Sequence, residues 1–167
     1  MVQIEWTQRT FNFDFPVGVF PGIVERLRGT PARIAELTRG VPHNMLIRRV
    51  NKRWSVNEHV GHLIDLDELD HLRLDEYLAG RPQLSAADMS NRRTEEAGYN
   101  DVALGTIVEY FRARRADLVQ RLEGLSDEVI GRSALHPRLQ QPMRLVDWAW
   151  FVAEHDDHHL ARIRELT

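Results

Sequence analysis

Two histidines four residues apart, His155 and His159, lie in the terminal stretch WAWFVAEHDDHHLARIREL (residues 148–166), where an apolar helix face would normally carry Leu or Val. At about 100° per residue, Leu145, Trp148, Val152, His155, His159, Ile163 and Leu166 share one narrow face. A single histidine on such a stripe is commonly a core residue satisfied by a backbone carbonyl. Two in register bring four ring nitrogens that need partners when buried, and their rings are close enough to share a ligand. The zinc-binding H-E-x-x-H helix uses the same i, i+4 spacing. The chemistry this predicts is metal coordination, with a third ligand supplied from elsewhere in the chain.

Composition narrows what else could take part. There is no cysteine among the 167 residues, which excludes disulfides, thiolate zinc sites and a cysteine nucleophile. Any metal must be held by histidine and carboxylate, and any thiol must come from outside. The net charge of −3, with arginine interleaved among acids, argues against nucleic acid as a partner. Glu5 and Asp14 interrupt any signal-peptide pattern, and no apolar run is long enough to span a bilayer. The expectation is a cytoplasmic protein with no membrane partner and a small-molecule substrate, folded as a single domain over residues 1–167.

Four helical segments must position the histidines. Residues 1–20 alternate weakly (Val2, Ile4, Trp6; Phe11, Phe13, Phe15) and read as an extended arm whose aromatics pack on the body, since a lone strand has no partner. The first helix runs from about Gly22 to Thr38, and Thr30-Pro31, which resembles an N-cap and first helical position, kinks or restarts it. The second has the strongest start signal, the capping box Ser55-Val-Asn-Glu58, and should end near Leu78, before Gly80 and Pro82. Residues 81–100 lack helical periodicity and are long for a hairpin, which predicts a crossover connection. The third helix spans about Asp101–Leu122, with Thr106-Ile-Val-Glu109 as a further capping box if its first turn is separate. Residues 126–143 read as another connection, turning at His136-Pro137 and Gln141-Pro142. The fourth helix runs from about Leu145 to the end. Trp150 points off its seam, a hint of a second contact surface such as a homodimer interface.

Periodicity does not choose among His59, His62 and His71 on the second helix. The segment Trp54-Ser-Val-Asn-Glu-His-Val-Gly-His62-Leu-Ile-Asp65, together with Glu154-His155-Asp-Asp-His158-His159-Leu-Ala-Arg-Ile163, resembles the DinB/YfiT-like superfamily of metalloenzymes, over nearly the whole chain. The resemblance implies an all-α four-helix bundle with a long crossover between helices 2 and 3. It also implies one divalent metal ion, zinc or nickel, held by His62, His155 and His159. His158 is then near the site or on the surface, and His59 structural or lining the pocket. Asp65 and Asp156 are candidates to accept the outer N–H of a ligating ring. Arg144 stands where the family often has Thr before the last helix, so that helix is expected to lack its usual cap.

Three imidazoles leave coordination positions open, as catalysis requires. Such a site can activate water, polarise a carbonyl, or bind an exogenous low-molecular-weight thiol. The leading expectation is therefore a metal-dependent thiol S-transferase or hydrolase acting on a small electrophile. Two other readings stand beside it. One is a non-catalytic, stress-related bundle that binds metal or a protein partner. The other is a di-metal carboxylate bundle, for which the chain offers only Glu68-x-x-His71 and an imperfect Asp156-x-x-His159. Residues 81–100 and 136–144 are expected at the mouth of the pocket.

Overall fold

The computed structural model describes residues 3–167; Met1 and Val2, and with them the first position of the expected alternation, lie outside the described residues. The elements are α1 (Phe20–Leu37), α2 (His43–Leu46), α3 (Val56–Leu78), α4 (Arg92–Glu96), α5 (Leu104–Glu123), α6 (Asp127–Ile130), a hairpin of β1 (Ser133–His136) and β2 (Gln141–Arg144), and α7 (Leu145–Leu166). The long helices α1, α3, α5 and α7 make a four-helix bundle.

Side-chain pairs between helices define their directions. Asn57, at the start of α3, donates to the carbonyls of Tyr99 and Val102 just before α5, and Arg121 pairs with Asp75 toward the other end of both helices. α3 and α5 are therefore parallel, and residues 79–103 travel back along the bundle between them. α7 runs opposite to α3, with His59 beside His159 at one end and the Tyr77 hydroxyl on the Met143 carbonyl at the other.

The local signals act mostly as expected. Ser55 caps α3 reciprocally: its Oγ accepts from the Glu58 amide at 3.2 Å and its amide donates to Glu58 Oε2 at 2.9 Å. The helix stops at Gly80, whose φ of +66° a side chain would disfavour. α1 passes through Pro31 as one continuous helix. There the Arg26 carbonyl accepts from the Thr30 hydroxyl at 3.2 Å and from Arg33 Nη2 at 3.0 Å, so Thr30 is an interior residue of α1 and not a cap. α5 is unbroken from Leu104, which removes the internal capping box at Thr106. α7 is capped after all: Asp147 Oδ2 accepts from the Arg144 amide at 2.8 Å, and the Arg144 guanidinium folds onto the same carboxylate.

The connection before α7 and the N-terminal arm hold structure that periodicity does not reveal. Residues 126–143 contain α6 and the β1–β2 hairpin, and Gln83 pairs with Leu135 along the other edge of β1. Pro142 is tolerated because β2 is an edge strand. The arm is extended apart from short 3₁₀ turns at Trp6–Gln8 and Val17–Val19. Phe11, Phe13 and Phe15 surround Trp150 with ring centres 5.7–6.1 Å away. The surface that Trp150 offered to a second copy is thus occupied by the chain's own arm.

The apolar interior divides into two clusters. One centres on Leu27, Leu118, Leu122 and Trp148, the other on Ile34, Val60, Phe111 and Ile163. Each fully buried large side chain contributes roughly 1.5–3 kcal/mol relative to exposure. Between the clusters lies a polar belt made of Thr30, Asp67, Asp70, Arg115 and Asp156, all buried. The histidines lie at the level of this belt.

Candidate metal centre

α7 supplies His155 and His159 one turn apart, and antiparallel α3 brings His62 against them. One nitrogen from each ring lies within 4.8 Å of the other two. The Nε2 atoms of His155 and His159 are 3.1 Å apart, a few tenths of an ångström short of the roughly 3.4 Å expected of two nitrogens bound to one tetrahedral metal at ~2.1 Å. These are the three residues singled out from the sequence. Among the described residues no other trio of His, Asp or Glu donors converges this closely. Glu68 instead sits on Arg93 at the surface and His71 lies by Asp67, so the carboxylate di-metal arrangement does not assemble.

Each ring has a defined neighbourhood. The Thr94 hydroxyl donates to Asp65 Oδ2 at 2.8 Å, so its oxygen accepts from His62 Nδ1 at 3.1 Å. That places the proton on Nδ1 and leaves the His62 Nε2 lone pair free. Asp65 is fixed further by the Tyr99 hydroxyl at 2.8 Å and by Arg93. Asp65 therefore supports His62 through Thr94, a residue of α4 that the sequence showed only as one of many polar residues in residues 81–100. His159 Nδ1 meets His59 Nδ1 at 2.8 Å, so His59 backs the His159 ring. Asp156 plays no such part for His155: its carboxylate takes Arg115 and the Thr30 hydroxyl. His158 turns aside to the Gln3 amide at 3.0 Å.

Burial sets the protonation of these rings. Desolvation, reinforced by neighbouring imidazoles, pushes His62 down to about 4 and His59 to about 3, and holds His155 and His159 well below the usual histidine range. At neutral pH the rings are uncharged, the form in which imidazole donates to a metal. The donor set fits a divalent ion that favours imidazole. If Thr94 orients His62 for coordination, Thr94→Val should weaken zinc affinity by roughly 10–100-fold while Thr94→Ser stays near native. Competition with a chromogenic chelator reads this directly, and equal affinity in both variants would remove Thr94 from the site.

Gly61 belongs to this arrangement for a steric reason. A Cβ there would meet the Tyr99 ring at 2.2 Å. The missing side chain lets Tyr99 lie across α3 and reach Asp65.

The centre opens into a cavity of about 820 Å³, within the range of small-molecule sites. Ala86–Met89 and His136–Arg138 line it as expected. The arm and the loop before α3 also contribute, through Trp6 and Lys52–Trp54, which the sequence did not suggest. The two indoles flank the histidines: Trp6 meets the His155 ring edge-on at 4.9 Å, and Trp54 lies 4.6 Å from His62. Asp70 also lines the cavity, a little over two turns beyond His62 on α3. Burial pushes its carboxyl up to about 7 against the pull of Arg115.

No helix among the described residues is long and apolar enough to cross a membrane. No curated protein sequence matches the chain significantly. Its structure is similar to that of YfiT from Bacillus subtilis, described as a probable metal-dependent hydrolase with an unusual four-helix bundle topology. The TM-score is 0.81 at 18% identity, over 95% of this chain and 91% of that one. At that identity the likeness speaks for the fold. The sequence profile of the DinB superfamily matches residues 26–163, a span that includes all three converging histidines, and the chain belongs to that superfamily.

Proposed function

We propose that the chain is a metal-dependent hydrolase of small electrophilic substrates, with one zinc or nickel ion held by His62, His155 and His159. The observation that carries this reading is the convergence of three neutral imidazoles at the wall of a substrate-sized cavity, with His62 and His159 each backed by a hydrogen-bond partner. The description of YfiT supports the choice of hydrolysis. When bound, the ion would supply a Lewis acid that polarises a substrate oxygen and lowers the pKa of water.

The protein's own residues do the rest. His59 and the Asp65–Thr94 pair hold the His159 and His62 rings in orientation, and the Asp65–Thr94 pair also fixes the His62 tautomer. Trp6, Trp54 and Phe151 exclude bulk water from the cavity wall. Asp70, with a pKa of about 7, can both accept and release a proton near neutrality, as general acid–base catalysis requires.

The related reading is S-transfer with an external thiol, which the same open centre and a chain without cysteine would accommodate. A panel of activated esters, amides and alkyl halides separates the two. The expected result is zinc- or nickel-dependent ester or amide cleavage, lost on chelation and independent of added thiol. Turnover only with thiol would convert the assignment to a transferase. No turnover by the metal-loaded protein on any substrate would leave a non-catalytic metal-binding bundle.

A further inference from the structure

Arg138 differs from the chain's other buried or half-buried arginines. Arg26, Arg115 and Arg144 each rest on a carboxylate. Arg138, in the turn of the β1–β2 hairpin, makes no ion pair or hydrogen bond with any described residue, and its Nη2 is buried without a partner. Burial alone acts on the group, lowering its pKa with no acid to offset the cost. A guanidinium stays charged regardless, so this is a half-buried cation whose buried Nη2 lacks an acceptor.

Its surroundings agree. The guanidinium lies 6.0 Å from the centre of the Trp6 ring and 5.7 Å from that of Phe151, and Trp6 in turn touches His155. The anion position is thus one aromatic ring away from the histidine centre. Close by, His136 is 2% exposed, and its Nδ1 accepts from the Leu139 amide at 3.2 Å. Its proton is therefore on Nε2, which is also buried without a partner. Arg73, bonded to the Ser85 carbonyl and facing Asp70, lines the same cavity and adds positive charge that both His136 and Arg138 face. A planar fork backed by a neutral N–H donor suits a carboxylate better than a phosphate dianion, which would call for more charge.

We propose that Arg138, with His136 and Arg73 behind it, is an anion subsite that receives a carboxylate carried by the substrate, whose reacting bond then lies toward His155. This deepens the hydrolase reading, since it treats the cavity as a substrate pocket: the substrates would be small esters or amides bearing a free carboxylate.

The test is calorimetric titration of metal-loaded and metal-stripped protein with benzoate, its neutral isostere benzamide, and inorganic phosphate. Native protein should bind benzoate at least tenfold more tightly than benzamide or phosphate, with or without metal. Arg138→Gln should lose about tenfold or more in benzoate affinity while retaining native metal content. Arg138→Lys, which keeps the charge but not the fork, should fall between them, and it carries the test if the Gln variant is unstable. Benzoate affinity unchanged in both variants, or lost on metal removal, would place the carboxylate on the metal and overturn the subsite. Phosphate bound in preference to benzoate would overturn the ligand class. Because the metal-stripped arm does not require the centre, benzoate bound there through Arg138 would uphold the subsite even if metal-dependent hydrolysis failed.

Discussion

About one zinc or nickel per chain in the native protein, and essentially none in His62→Ala or His159→Ala, is the expected result of elemental analysis. The two variants remove ligands from different helices, so each reports on the α3–α7 meeting and not on one helix alone. The same centre should be visible in stability. A ligand that binds only the folded state at 100 times its Kd stabilises by about 2.7 kcal/mol, roughly 5–10 °C in Tm for a domain of this size. Stripping native protein with a chelator should produce a fall of that order, and readdition should restore it.

The comparison to make is the metal-dependent change in Tm, because deleting a buried imidazole also creates a cavity. In both variants that change should vanish. His59→Ala should retain metal at reduced affinity, since His59 meets the side of His159 turned away from the centre. Metal bound equally by native protein and both alanine variants would show that these histidines are core residues, and the functional reading would fall with them.

Loss of a large share of the folding stability is expected for Arg115→Met. The Arg115 side chain is buried over the Phe111 ring at 4.8 Å, paired with Asp156 and within 3.6 Å of Asp67. Removing it leaves three buried acids, Asp67, Asp70 and Asp156, with Arg114 on Asp67 Oδ2 as the nearest remaining cation and Asp67 Oδ1 unpartnered. Breaking a buried pair by deleting one member costs about 3–5 kcal/mol, a large share of the roughly 5–15 kcal/mol that holds a domain together. Asp156→Asn should be costly for the converse reason, leaving a buried guanidinium short of charge. By contrast, Arg132→Met removes an exposed pair with Glu128 and should cost less than about 1 kcal/mol. Urea midpoints for the three variants would measure this, and an Arg115→Met loss no larger than that of Arg132→Met would show that the belt adds little.

How much of this was legible in the sequence follows from how far each determinant reaches along the chain. The four long helices, the Ser55–Glu58 cap and the stop at Gly80 are local, set by residues within a turn or two of each other. The stripe that carries His155 and His159 is equally local, because helix geometry alone places i and i+4 on one face. The same signal was present and unread at Arg115, which falls on the Phe111–Leu118–Leu122 stripe as the histidines fall on theirs.

What required the fold was every pairing between helices. Asp156 adjoins His155 in sequence yet faces Arg115 and Thr30, because consecutive helical residues point about 100° apart. Thr94 supports His62 across 32 residues because α4 lies over α3. Arg138 enters the cavity from a turn whose region the sequence did point to, whereas nothing in the alternation of the arm says that Trp6 docks beside His155. Helix faces are written in residue spacing. The partner each face meets depends on chain direction and on which polar groups must satisfy one another once water is excluded, and those conditions exist only in the packed bundle.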